Sequence, residues 1–178
     1  MGCYKILSTP LPFAKEGYKG LHRAEPKYGA GINEKYVALW KQYIEHSEPV
    51  KHMGITTEFT VDELKEFACL VTQEEGKFYE VIYFSEQMDC PHESQYYGVD
   101  VTDIGGYSMV GEEFFLRGRS QIYDILIDYF MEKLNAYGLF SEYEEAEKFR
   151  DVIMELSAWR PGCIEDEEWK ILHVLKVL

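Results

Sequence analysis

KFYEVIYFSE, residues 77–86, is the stretch that decides the fold class. It is short, rich in β-branched and aromatic residues, and follows directly on Gly76, so it reads as a strand. Apolar side chains fall on both of its faces, which marks a central strand rather than an edge. YYGVDVTDI, residues 96–104, alternates more regularly, with Tyr97, Val99 and Val101 expected on one face and Asp100 and Thr102 on the other. The two strands are expected to pair as an antiparallel hairpin, across a polar connection, QMDCPHESQ, that is long for one.

Helical patterns flank this pair. Upstream, Thr60-Val61-Asp62-Glu63 is a capping box, with Phe59 and Leu64 placed as a hydrophobic staple. Val61, Leu64, Phe67, Ala68 and Val71 then share a face, and Gly76 closes the helix. Before it, Asn33 caps a helix over about residues 34–46, which carries Tyr36, Leu39, Trp40, Tyr43 and Ile44 and is stopped by Pro49. Downstream, Ser120 opens a helix over 121–137, with an apolar stripe of Ile122, Ile125, Leu126, Tyr129, Phe130, Leu134 and Tyr137 turned to the core. A second capping box, Ser141 with Glu144, opens a helix over 142–159, broken at Pro161-Gly162, and the two helices read as an antiparallel hairpin.

The ends of the chain are less regular. EDEEWKILHVLKVL, residues 165–178, fits a helix through Ile171, Val174, Leu175 and Leu178, or a strand through Trp169, Ile171, Leu175 and Val177; a helix is preferred. Residues 1–32, punctuated by Pro10, Pro12, Pro26 and five glycines, read as a loop-rich arm in which CYKIL is a short first strand. The expected fold is α+β in one domain, residues 1–178: a small, mainly antiparallel sheet with strands near 78–86 and 96–104, packed with four to five helices.

Charge narrows the function. Residues 1–52 hold eight Lys and Arg against five Asp and Glu, a net of +3; residues 53–178 hold ten against 27, a net of −17. A field of that sign repels phosphates, so direct nucleic-acid binding is not expected, nor is an anionic membrane surface. No stretch approaches about 18 apolar residues, so no membrane-spanning helix is expected. With no secretory leader and no C-x-x-C pair among Cys3, Cys69, Cys90 and Cys163, reduced thiols and a cytoplasmic location are expected.

Catalytic patterns are sparse. Cys90-Pro91-His92 lies between Asp89 and Glu93 but has no paired cysteines or H-E-x-x-H beside it, so neither a metal nor a cofactor is expected. No serine sits in a G-x-S-x-G elbow. A small enzyme is one alternative, with Cys90, His92, Asp100, Asp103, Arg117 and Arg119 as its site in the 89–119 region. A subunit of an assembly, docking through ILHVLKVL, is another.

Acid is densest late in the chain, at Glu142, Glu144, Glu145, Glu147, Asp151 and Glu155, and again at Glu165, Asp166, Glu167 and Glu168. These residues are the candidate surface for a basic protein partner, partly offset by Glu144–Lys148 and Glu147–Arg150 spacings. YYGVDVTDIGGYSMVG, Tyr96 to Gly111, resembles a strand-and-turn phrase of small acidic bacterial toxin-immunity-type proteins. The resemblance implies an acidic α/β binder without catalysis, in agreement with the charge, and a phage-type inhibitor is a close variant. It carries over no individual site residue.

Overall fold

The computed structural model describes residues 2–8, 22–23, 31–46, 59–102, 120–157 and 169–178. Along the chain these form β1 (Cys3–Ser8), β2 (His22–Arg23), α1 (Glu34–His46), α2 (Val61–Glu75), β3 (Tyr79–Ser85), β4 (Ser94–Thr102), α3 (Gln121–Met131), α4 (Tyr143–Ser157) and β5 (Lys170–Val177). The strands make one sheet in the order β2-β1-β3-β5-β4, with every neighbouring pair antiparallel. The class is α+β, as expected, with four helices among the described residues.

Two expectations are corrected by this topology. The tail is the strand β5, not a helix, and it lies between β3 and β4. β3 and β4 therefore do not form a hairpin. Each is antiparallel to β5, so they run parallel to one another. Residues 86–93 run back along the sheet, because Ser85 lies level with His173 while Ser94 lies level with Val177. The physical reason is burial. Leu172, Val174 and Leu175, with Ile171 and Val177, are all buried, and only a central strand buries apolar side chains on both faces. The tail is thus enclosed in the chain's own sheet and does not present ILHVLKVL as a docking surface. β1, read as part of an arm, is likewise an inner strand paired with β2 and β3.

The helices cover one face of the sheet in two separate packings. Tyr36 and Trp40 of α1 and Leu64, Phe67, Ala68 and Val71 of α2 bury Ile6, Val81, Tyr83, Leu175 and Val177. Trp40 meets Phe67 edge-on, with ring centroids 5.1 Å apart. Ile127, Phe130 and Met131 of α3 and Ala146 and Phe149 of α4 bury Val99, Val101, Ile171 and Trp169. The other face carries a third cluster of Leu7, Ile82, Phe84, Tyr97, Leu172 and Val174, which Leu139 and Tyr137 join from the turn after α3.

Local chemistry sets where the helices start and stop. Thr60 Oγ1 accepts from the Glu63 N–H at 3.3 Å, and the Thr60 N–H donates to Glu63 Oε2 at 2.7 Å, which closes the expected capping box. Those contacts hold the Glu63 carboxyl below its ordinary pKa. Gly76 ends α2 in the left-handed conformation at φ 70°, its N–H donating to the Thr72 carbonyl. Thr72 Oγ1 then accepts from the Tyr79 N–H at 2.9 Å, fixing how the chain enters β3.

α3 ends at Met131, short of the expected 137, and its phase is rotated from the expected one. Ile127, Phe130 and Met131 face the core, while Ile122, Ile125 and Tyr129 stand in solvent. Apolar residues cover most of this helix, so periodicity alone allows more than one face to pack.

Candidate functional site

The surface of the α3–α4 pair combines two unusual features. Ile122, Ile125 and Tyr129 are 68%, 63% and 44% exposed and lie at i, i+3 and i+7, so they form one stripe on α3. Asp124, Asp128 and Glu132, spaced by four, run beside that stripe. Residues 121–157 carry nine Asp and Glu against three Lys and Arg, a net of −6.

On α4 and the turn before it, Glu142, Glu144, Asp151 and Glu155 are exposed and Glu145 and Glu147 are partly so. The basic residues pair differently from the expected spacings. Lys148 Nζ bonds Glu145 Oε1 at 2.6 Å, and Arg150 bonds Asp151 Oδ1 at 2.9 Å. The Lys148 hydrogen bond lowers the pKa of Glu145, which also accepts from Tyr129 Oη at 3.3 Å and so ties α4 to the stripe on α3. Exposed pairs of this kind contribute little stability; their carboxylates remain an electrostatic feature of the surface. Glu165, Asp166, Glu167 and Glu168 lie outside the described residues.

Of the residues of the alternative enzyme site, three are described, and the sheet divides them. Cys90, a free thiol, packs with the cluster under α1 and α2. His92 stands 6.1 Å, ring to ring, from Tyr4 on that same helix-covered face. Burial raises the Tyr4 hydroxyl to about 12, with the Cys90 and Tyr83 side chains adding to the shift. Asp100 is on the opposite face, opposite Leu172 of β5, so the sheet stands between it and Cys90. Asp103, Arg117 and Arg119 lie outside the described residues. Among the described residues no group of three or more His, Cys, Asp and Glu side chains is placed to hold a metal ion.

Asp100 is not the solvated strand residue that alternation suggests. Although its surface is not wholly closed, its carboxyl is desolvated, and burial lifts its pKa to about 7 against the opposing pull of Lys5 and the Val101 N–H. Its placement follows from a β-bulge. Tyr96 is opposite Leu175 and Gly98 is opposite Val174, which leaves Tyr97 as the extra residue. Tyr97 therefore turns to the face opposite Val99 and Val101, contrary to the expected alternation. There it stacks on Tyr137 at 4.2 Å and donates to Glu80 Oε2 at 2.8 Å. Glu80 in turn pairs with Lys176. Burial first, then Glu80, drive the Tyr97 pKa well upward.

On the helix-covered face, a small polar group lies where the two packings part. Ile171 belongs to the α3–α4 core and Leu175 to the α1–α2 core; His173, between them on β5, belongs to neither. Tyr143, the first residue of α4, stacks on the His173 ring at 5.7 Å and 24°. Tyr96 tilts against it from β4 at 6.1 Å, its hydroxyl 3.4 Å from Nδ1. Across β3, the residue level with His173 is Ser85, a buried polar residue whose hydroxyl donates to Asp89 Oδ1 at 2.7 Å.

Sequence reading singles out none of His173, Tyr143, Tyr96 and Ser85 as a site. The available signal was in the tail. Read as a strand, Trp169, Ile171, Leu175 and Val177 leave His173 as the one polar residue in an apolar face.

Comparison with family models, with curated proteins and with solved structures found no match for this chain. No described helix is long and apolar enough to cross a membrane.

Proposed function

We propose that this is a non-catalytic protein-binding protein that occludes a basic partner, in the manner of an immunity-type or phage-type inhibitor, and that the α3–α4 pair is its docking surface. The observation that carries this reading is the stripe of Ile122, Ile125 and Tyr129, left in solvent on a helical pair of net charge −6. Apolar side chains at i, i+3 and i+7 are the anchors by which a helix seats in a groove. An acidic border selects a groove with a basic rim, by raising the encounter rate and disfavouring acidic competitors. Tyr129 adds an aromatic ring with a polar tip, a residue type that often carries interface energy.

Cytoplasmic location and action without nucleic acid belong to the same proposal; the net charge of −14 supports the second. The salt dependence of association tests it. With the basic partner, the association rate constant falls by about tenfold or more between ~0.01 M and ~1 M salt. A rate constant unchanged over that range contradicts the electrostatic part of the proposal.

A further inference from the structure

We infer that Tyr96, Tyr143 and His173, with Glu142 at their edge, form a receiving site for a cationic side chain, arginine or lysine, of the basic partner. This rests on the proposed function, since it names the residue type by which that partner is anchored.

The position in the fold comes first. A polar ring in a central strand under two helical pairs is ordinarily covered by one of them. His173 is covered only in part, by the Tyr143 ring, because the cores built by α1–α2 and by α3–α4 divide on either side of it. Both tyrosines at this division retain more than a third of their surface in solvent, 39% for Tyr96 and 38% for Tyr143. Aromatic rings that fill a gap between cores have no need of that exposure.

The chemistry comes second. Tyr96, from the edge strand, and Tyr143, from the first turn of α4, approach one imidazole from two elements. Electron-rich faces of tyrosine attract a cation within about 6 Å, and a guanidinium also stacks flat on them. Glu142 precedes Tyr143 in the chain, is exposed, and lies close enough to Tyr96 for its charge to add to the burial that raises the Tyr96 pKa. Asp89, held by Ser85, supplies a second exposed carboxylate on the side of β3. Aromatic faces bordered by carboxylates recognise organic cations, and neither an anion nor a neutral apolar group is matched to that border.

The test uses the full chain and two probes, N-acetyl-arginine methylamide and N-acetyl-lysine methylamide, with the norleucine analogue as the neutral control. Ring resonances of His173, Tyr96 and Tyr143 are followed by NMR. The expected result is a saturable shift with one or both cationic probes, absent with norleucine, and lost in Tyr143→Ala and in Glu142→Gln. A larger response to arginine identifies stacking of a planar guanidinium; an equal response identifies recognition of charge alone.

No saturable shift, or the same shift in both variants, overturns the inference. Glu142→Gln removes only a surface charge and keeps the test valid if Tyr143→Ala disturbs packing. A basic partner whose binding is abolished by Ile125→Ser but untouched by Tyr143→Ala and Glu142→Gln would leave the proposed function standing while refuting this site. Loss of partner binding in none of the three would refute both.

Discussion

At the residue scale, Gly98 and Asp100 show how one backbone irregularity places chemistry. Gly98 has φ 144°, and a Cβ there would lie 2.8 Å from the Phe140 carbonyl oxygen and 2.9 Å from both Asn135 Nδ2 and Leu139 Cβ. The close approach is held by paired hydrogen bonds between Val99 and Phe140, at 2.8 and 2.9 Å, and by Asn135 Nδ2 donating to the Tyr97 carbonyl at 2.8 Å. Gly98→Ala must relieve both a strained φ and a clash with backbone, so it is expected to lower stability by about 2 kcal/mol or more. Urea unfolding reads this as a fall in midpoint.

Asp100, two residues on, titrates at about 7 in the folded chain against an ordinary 3.8. Between those values the folded state holds a proton that the unfolded state has released, so this group's contribution to stability falls as pH rises from about 4 to about 7. Asp100→Asn is expected to remove that slope and to be more stable than the native chain at pH near 8, by at most about 4 kcal/mol. Unfolding of both proteins across that range shows it, and a variant less stable at every pH would contradict the buried placement. Neither the bulge nor the burial was legible beforehand. Tyr96-Tyr97-Gly98-Val99 alternates acceptably without a bulge, and a glycine in a strand does not announce the residue it touches.

At the element scale, legibility depended on whether a signal was local. α1 occupies residues 34–46 and α2 follows its capping box to Gly76, because caps and side-chain spacing act within a few residues. Thr60→Ala is expected to cost about 1 kcal/mol through loss of that box, a second effect for urea unfolding to measure.

β5 reads as a helix in isolation because its apolar residues satisfy both periods, and only its distant partners β3 and β4 choose between them. The eight-residue return between Ser85 and Ser94 was the one local sign that those strands are not a hairpin. α3 failed differently. With apolar residues around most of the helix, its buried side is decided by Phe140 and Phe149, which meet Phe130 edge-on at 6.2 and 5.1 Å. The consequence is functional, since three residues of the stripe expected in the core, Ile122, Ile125 and Tyr129, are left in solvent. Ile125→Ser is therefore expected to leave thermal stability within about 0.5 kcal/mol of the native chain, as for other surface substitutions, whereas a core isoleucine would cost several times more.

At the scale of the whole molecule, the sheet separates two kinds of surface. One face carries both helical packings and, at their division, His173 with its tyrosines. The other carries the desolvated Asp100 carboxyl and the Tyr97–Glu80–Lys176 chain of contacts. The acidic, apolar-striped α3–α4 pair belongs to the first, so the division at His173 adjoins the proposed docking surface through Glu142 and Tyr143. The most direct test is capture from lysate of the native cell by the full chain and by Ile125→Ser, quantified by mass spectrometry at low and high salt. A strongly basic protein recovered in stoichiometric yield by the native chain, reduced by salt and lost from Ile125→Ser, is the expected result. A neutral or acidic protein as the main partner, or equal recovery of the basic one by both chains, would contradict the assignment of this surface.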